Sequence, residues 1–121
     1  MILLDTNALI WLEQGHTRAR PLRRSAGQLS VSPATLLELG YLQEAGRIQL
    51  SGGIDAIVTD DRWFVDDVPA TRWLMAACEL SWTRDPFDRL IVAHARVRGW
   101  RLATGDGALL ERMPASARLE L

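Results

Sequence analysis

The chain has 121 residues, of which 48% are hydrophobic and 24% charged, a balance that predicts one globular domain spanning residues 1–121. Its net charge of −1 gives the chain as a whole no electrostatic attraction to nucleic acid. All 14 basic side chains are arginine, and the lack of lysine excludes Walker A proteins, Schiff-base enzymes and phosphoaspartate receiver domains.

Short apolar runs alternate with helical segments along the chain. Strands are predicted at residues 2–4, 29–31, 63–65, 101–103 and 118–121, and helices at 8–13, 18–24, 33–46, 54–59, 69–80 and 86–95. Ser32-Pro33 and Asp85-Pro86 are typical helix starts, whereas residues 47–50 fit neither pattern. Strands of this length separated by helices predict an α/β fold, with a central parallel β-sheet flanked by helices on both faces.

Four carboxylates stand beside apolar runs, where an unneutralised charge is costly: Asp5, Glu38, Asp88 and Asp106. Asp5 and Asp106 directly follow predicted strands, and ligands of parallel sheets bind at the carboxyl ends of the strands. Asp88 lies in the first turn of a helix that starts at the same edge. Glu38 is more than one turn into its helix, so its placement depends on how that helix packs.

Clustered carboxylates repel one another, and a divalent cation relieves the repulsion. Mg²⁺ or Mn²⁺ suits such a site because both are hard cations that prefer oxygen ligands. A metal held there orients a phosphodiester and lowers the pKa of an attacking water. The four acids therefore predict metal-assisted chemistry on phosphates.

Each acid also has a structural interpretation. Asp5 and Asp85 suit helix N-caps, Asp88 suits the positive end of a helix dipole, and Asp106 lies in a Gly-Asp-Gly turn. Either interpretation explains a single acid, but the convergence of several at one edge favours a shared site.

Three polar residues flank the acids: Thr6, Asn7 and Thr104. Their side chains can hydrogen-bond the carboxylates or a bound water, an arrangement common around metal ligands. Capping and turn formation explain Thr6 and Thr104 equally well.

Packing accounts for the histidine and tryptophans that could otherwise be read as functional. His94 shares a helical stripe with Phe87, Leu90 and Ile91, which favours a core role over catalysis. The five tryptophans are likewise assigned to core and dimer packing.

Nothing in the sequence predicts export. No apolar run approaches the ~20 residues that cross a bilayer, and the run after Met1 is too short for a signal peptide. Cys78, the sole cysteine, has no partner for an intramolecular disulfide and is predicted to be a buried, inert thiol. We expect a cytoplasmic protein with no membrane association.

Four segments resemble the motifs of PIN-domain proteins, in particular VapC-type toxins of bacterial toxin–antitoxin pairs. They are Leu3–Trp11, Ser32–Leu39, Arg84–Ala93 and Leu102–Asp106, and they occur in the family's order over nearly the whole chain. His94 stands where relatives often have Gln, a departure that leaves the acids untouched.

The resemblance implies an endoribonuclease toxin that depends on Mg²⁺ or Mn²⁺. By position, Asp5, Glu38, Asp88 and Asp106 would form the catalytic site, with Asp5, Asp88 and Asp106 as metal ligands and Asp85 as a cap or outer neighbour. Relatives usually form homodimers and are silenced by a cognate antitoxin, whose peptide enters the acidic groove, often with an arginine.

The RNA backbone would be held by arginines outside the acidic set. The candidates are Arg18, Arg20, Arg23, Arg24 and Arg89, because arginine makes bidentate phosphate contacts. A GC-rich genome explains the overall excess of arginine, whereas phosphate binding stays open for the cluster at residues 18–24.

Two other functions stay open. An aspartyl-nucleophile phosphatase also places an Asp after its first strand, although that class expects a second Asp where this chain has Asn7. A non-catalytic module that binds RNA or protein needs no acidic metal site at all.

Overall fold

Five parallel strands form one sheet in the computed structural model, which describes residues 1–25 and 28–121. The strands are β1 (Ile2–Leu4), β2 (Leu29–Val31), β3 (Phe64–Val65), β4 (Arg101–Thr104) and β5 (Arg118–Glu120). Their order across the sheet is β3-β2-β1-β4-β5, with every neighbouring pair parallel. The predicted α/β class is confirmed.

Helices connect the strands and cover the sheet. They are α1 (Thr6–Glu13), α2 (Arg20–Arg23), α3 (Pro33–Glu44), α4 (Gly53–Thr59), α5 (Ala70–Cys78), α6 (Pro86–Arg98) and α7 (Gly107–Arg112), with 3-10 turns at Thr17–Ala19 and Ala115–Ala117. The prediction missed α7, because a six-residue helix that begins with glycine carries little helical signal. In the described ranges, no helix is long and apolar enough to cross a bilayer.

The strands alternate their side chains between two apolar cores. Ile2 and Leu4 pack with Leu9, in the cluster that also contains residues of α2 and α4. Leu3 and Leu102 point to the opposite face, where residues of α5, α6 and α7 cover them. Successive side chains of a strand point to opposite faces of the sheet. Because helices cover both faces, neighbouring strand residues are both apolar.

Helix α5 presents only one of its faces to the core. Trp73, Ala76 and Ala77 belong to the cluster beneath it, followed by Leu80, which is the helical spacing i, i+3, i+4, i+7. Cys78 lies off that stripe and is exposed. The prediction of a buried thiol is therefore wrong, because it followed the apolar composition of the segment rather than its periodicity.

His94 lies in the core, as its helical stripe predicts. It is 0% exposed, and its Nε2 lies 2.7 Å from Oδ2 of Asp66, which also accepts a 2.7 Å bond from Arg98 Nε. Burial favours the neutral acid, but the bonds from Arg98 and His94 outweigh it and lower the pKa of Asp66. The His94 ring packs between Trp73 and Trp100, with centroids 5.6 and 6.0 Å away.

The strand order places a topological switch point between β1 and β4. From β1 the chain proceeds outward to β2 and β3, then returns to the other side for β4 and β5. The Asp5 N–H donates to the Ala103 carbonyl at 3.1 Å, which joins the two strands up to the point where their connections diverge. In such folds the crevice at this edge is where ligands bind.

Candidate active site at the carboxyl edge of the sheet

All four predicted acids line one cavity at the switch point. The cavity has a volume of about 230 Å³ and is lined by Asp5, Thr6, Asn7, Glu38, Leu42, Arg47, Asp88, Ile91, Asp106 and Leu109. Glu38, whose position was least certain from sequence, therefore shares the cavity with the other three. The polypeptide brings these carboxylates together from the ends of β1 and β4 and from helices α3 and α6.

Asp5 and Asp106 each follow a strand and cap the next helix. Oδ1 of Asp5 accepts the Ala8 N–H at 2.7 Å, and Oδ1 of Asp106 accepts the N–H groups of Ala108 and Leu109 at 2.8 and 3.2 Å. These capping bonds use one oxygen of each carboxylate. The structural and the functional interpretations of these acids are therefore compatible.

The other two acids are carried by helices. Glu38 is half-buried in the second turn of α3, where its Oε1 accepts the hydroxyl of Thr6. Asp88 is half-buried in the first turn of α6. Asp85 caps that helix through Oδ1, which accepts the N–H groups of Phe87 and Asp88 at 2.8 and 3.2 Å.

Burial and mutual repulsion make the ionised state of the cluster unfavourable. Burial first, and then the charges of Asp85, Asp106, Glu38 and Asp5 in that order, together raise the pKa of Asp88 to about 7. Asp5 is only 6% exposed, and burial raises its pKa to about 6 despite hydrogen bonds from Thr104 and Ala8. Perturbed carboxylates gathered in one cleft are typical of functional sites.

The donor chemistry of the cavity fits a hard divalent cation. Its carboxylates supply oxygen ligands and its raised pKa values reflect a shortage of positive charge. Within the part of the chain that the structure describes, no group of three or more His, Cys, Asp or Glu side chains is arranged so that it could hold a metal ion. The four acids therefore share a cavity without meeting at one point.

The predicted polar neighbours divide into two kinds. Thr6 and Asn7 line the cavity, and Thr6 orients Glu38. Thr104 is fully buried, lowers the pKa of Asp5 by hydrogen bonding, and accepts the Asp106 N–H at 3.0 Å. Thr104 therefore links the two acids that follow adjacent strands.

The predicted RNA-binding arginines are spread over several surfaces. Arg20, Arg23 and Arg24 are exposed and line a groove that contains none of the four acids. Arg89 follows Asp88 in sequence, but its Nε donates to the Thr83 carbonyl at 2.7 Å and so ties down the loop before α6. The structure does not gather these four arginines with the acidic cavity.

Arg18 lies closer to the site, beside Gly105. Its guanidinium stacks 4.2 Å from the centroid of Trp11 and donates to the Leu121 carbonyl at 3.1 Å. A Cβ added at Gly105 would lie 2.5 Å from Arg18 Nη2 and 2.7 Å from Trp11 Cη2. Only glycine lets this pair pack against the backbone between Thr104 and Asp106.

Gly105→Ala is expected to destabilise the protein by about 1–3 kcal/mol, because the rigid Trp11 ring must move to admit the new methyl group. Urea unfolding followed by tryptophan fluorescence measures the change. Gly107→Ala is the matched control: nothing lies within 4 Å of its added Cβ, and alanine in a helix stabilises by up to about 1 kcal/mol. Equal stability of the two variants would contradict the tight packing at Gly105.

Arg47 is a cavity residue that the sequence did not single out. It lies directly after α3, in the segment that fitted neither helix nor strand, and is exposed at the cavity lining. The available signal was the pair Gly46-Arg47, since glycine just after a helix fixes the direction of the next residue.

Comparison with known proteins gives consistent matches over most of the chain. The family model of the PIN domain matches residues 2–115. Ribonuclease VapC22 from Mycobacterium tuberculosis is 32% identical over 115 residues, which cover 89% of this chain and 88% of that protein.

Solved structures share the fold at lower identity. A toxin–antitoxin complex from Klebsiella pneumoniae matches with a TM-score of 0.72 at 17% identity, covering 100% of both chains. The DNA-bound VapBC from Salmonella typhimurium matches with a TM-score of 0.68 at 24% identity, covering 98% of this chain and 96% of that one. At such identities the likeness concerns the fold alone.

Proposed function

The chain belongs to the PIN-domain family, and we propose that it is a metal-dependent endoribonuclease, the toxin of a toxin–antitoxin pair that acts in the cytoplasm. The relative at 32% identity is a ribonuclease, and the similar solved structures include a toxin–antitoxin complex. The observation that carries the proposal is the cavity itself, which Asp88 shares with three other acids and where burial and neighbouring carboxylates raise its pKa to about 7.

Asp5, Asp88 and Asp106 would hold Mg²⁺ or Mn²⁺ in this scheme. When bound, such a metal lowers the pKa of a water and stabilises charge on the phosphodiester. Asp5 and Asp106 are fixed by their caps, so their second oxygens can face the cavity without disturbing α1 or α7. Thr104 hydrogen-bonds the Asp5 side chain and the Asp106 backbone, so it helps to hold these two acids in place.

Glu38 would accept the proton lost by the attacking water. Its Oε1 is engaged by the Thr6 hydroxyl, which leaves Oε2 for the transfer. Burial raises the pKa of Glu38, and a raised pKa makes a carboxylate a better base near neutral pH. Thr6 thus orients the base, while Asn7 lines the cavity wall.

The arginines at the exposed surface would hold the RNA on either side of the cavity. Arg18 is a candidate because it packs beside Gly105, which precedes Asp106, and its guanidinium face is suited to stack on an unpaired base. Arg20, Arg23 and Arg24 form a more distant basic surface. Arg89 uses its Nε on the Thr83 carbonyl, so it would contact RNA through its terminal nitrogens.

The cavity also suits inhibition by a partner protein. An arginine from a cognate antitoxin would neutralise part of the acidic cluster, which has a shortage of positive charge when no metal is present. The same insertion would block the approach of RNA. Inhibition and metal binding are therefore expected to compete.

Incubating the purified protein with total RNA tests the proposed activity. We expect internal cleavage with Mg²⁺ or Mn²⁺ and none in EDTA, because the carboxylates alone supply no positive charge. Sequencing of cellular 5′ ends after brief induction would identify the target. RNA that stays intact in both metals, with the protein folded, would contradict the proposed function.

We further expect a homodimer, supported by apolar side chains exposed on α3. Tyr41 is 58% exposed and lies with its ring centroid 5.8 Å from that of Phe87, next to the equally exposed Leu37. Tyr41→Glu should raise the dimer dissociation constant at least about tenfold, because a charge would be buried without a partner.

Sedimentation equilibrium measures this effect. Val58→Glu on α4 is the control, since it adds the same charge at a comparably exposed apolar position. A monomeric parent protein would contradict the dimer, and a dimer unaffected by Tyr41→Glu would contradict an interface at this patch.

A further inference from the structure

Arg47 has a backbone fixed by the end of α3. The Arg47 N–H donates to the Leu42 carbonyl at 2.9 Å, and the Gly46 N–H donates to the Gln43 carbonyl at 3.0 Å. Gly46 has a φ of +72°, so the helix ends in the Schellman arrangement. This geometry sets the direction of the Arg47 Cα–Cβ bond, and both Arg47 and Leu42 line the acidic cavity.

The charges of the cavity lining are strongly unequal. Four of its residues are acidic, and Arg47 is its one basic residue in the described parts of the chain. One divalent cation would leave a net negative lining even with Arg47 counted. An RNA phosphate brings a further negative charge. Its approach therefore needs a positive group that is not already paired with one of the acids.

Arg47 forms no ion pair with the acids of the cavity in the described residues. Among residues 1–25 and 28–121, Arg62 pairs with Asp60, and Asp66 pairs with both His94 and Arg98. None of these ion pairs involves Arg47. Its charge is not among the influences that shift the pKa of Asp5, Glu38 or Asp88. The exposed guanidinium is therefore available to a ligand that enters the cavity.

We propose that Arg47 is a phosphate-binding residue that seats the RNA backbone at the acidic cavity. This inference rests on the proposed function and adds a positioning group that the family motifs do not contain. The planar guanidinium can donate two parallel hydrogen bonds to a phosphate, which fixes its orientation as well as its position. The fixed backbone at Gly46-Arg47 limits the ordering needed when RNA binds.

RNA affinity as a function of salt tests this role, in an Asp5→Asn background and in EDTA so that no cleavage occurs. The probe is a single-stranded RNA oligonucleotide that the parent protein cleaves. Each phosphate contact to single-stranded nucleic acid contributes about 0.7 to the slope of log affinity against log salt. We expect Arg47→Gln to reduce the slope by about that amount and to weaken binding at least about tenfold at low salt.

Arg72→Gln is the matched control, because Arg72 is exposed on α5 and the same charge is removed away from the cavity lining. Its slope should equal that of the parent. Arg47→Lys keeps the charge but not the planar fork, so we expect the parental slope with weaker binding. An unchanged slope for Arg47→Gln, or an equal loss for Arg72→Gln, would overturn the inference.

Mn²⁺ titration by calorimetry separates phosphate binding from damage to the acidic site. Removing a positive neighbour should leave Mn²⁺ affinity equal or higher in Arg47→Gln, while kcat/KM for RNA falls at least about tenfold. Weaker Mn²⁺ binding would instead indicate a structural role and overturn the inference. If the parent protein cuts RNA and Arg47→Gln cuts equally well, the inference fails and the proposed function stands.

Discussion

Asp5→Asn is expected to lower RNA cleavage by at least about 10³-fold while the fold remains intact. Asp5 is the most buried of the four acids, and it lies where β1 and β4 are hydrogen-bonded side by side. The amide removes one negative charge from the cavity without changing the shape of the side chain. Cleavage of the target RNA in Mg²⁺, measured under single-turnover conditions, gives the ratio of rates.

The same substitution should not destabilise the metal-free protein at neutral pH. Asparagine can still accept the Ala8 N–H as an N-cap, and it removes a charge that burial disfavours. Thermal unfolding in EDTA should show a melting temperature equal to or above that of the parent. A folded Asp5→Asn variant that cuts RNA at the parental rate would contradict the catalytic role of Asp5.

The metal-free protein is expected to lose stability as the pH rises through the weakly acidic range. The pKa of Asp5 is 3.8 in an unfolded chain and is raised by burial to about 6 in the folded one. Between these values the folded state binds more protons than the unfolded state, so the free energy of unfolding falls with increasing pH. For Asp5 alone the loss amounts to up to about 3 kcal/mol.

Asp88 extends this loss to higher pH, since burial and neighbouring carboxylates raise its pKa to about 7. Urea unfolding in EDTA at a series of pH values measures the trend, and Asp5→Asn should flatten its lower part. Saturating Mg²⁺ or Mn²⁺ at neutral pH should restore about 2.7 kcal/mol at one hundred times the dissociation constant. Stability that rises over this range in EDTA would contradict the repulsive cluster.

Local patterns predicted most of the fold because the deciding information is local. Ser32-Pro33 and Asp85-Pro86 start α3 and α6 as predicted, and the apolar runs became adjacent parallel strands. Asp5 and Asp106 could be placed together because parallel strands end at one edge. Their shared cavity with Glu38 and Asp88 is confirmed, and their roles in catalysis and metal binding stay predictions.

Features that depend on contacts between residues far apart in the sequence could not be predicted from local patterns. Asp66 bonds to His94 and Arg98 across 28 and 32 residues, which no local pattern encodes. The cavity position of Arg47 depends on how α3 packs against α6, as does that of Glu38. The exposure of Cys78 was predictable from the spacing of Trp73 and Ala77, and it was missed because composition outweighed periodicity.

The four acids divide into a pair positioned by the sheet and a pair positioned by helices. Asp5 and Asp106 follow strands that are hydrogen-bonded to one another, so the spacing between these two carboxylates is set by the sheet. Glu38 and Asp88 lie on α3 and α6, so their distance from that pair depends on how the two helices pack against the sheet. A cation in the cavity would therefore meet two carboxylates whose separation is set by strand pairing and two whose positions depend on helix packing, so substitutions under α3 or α6 should alter metal affinity without touching the acids.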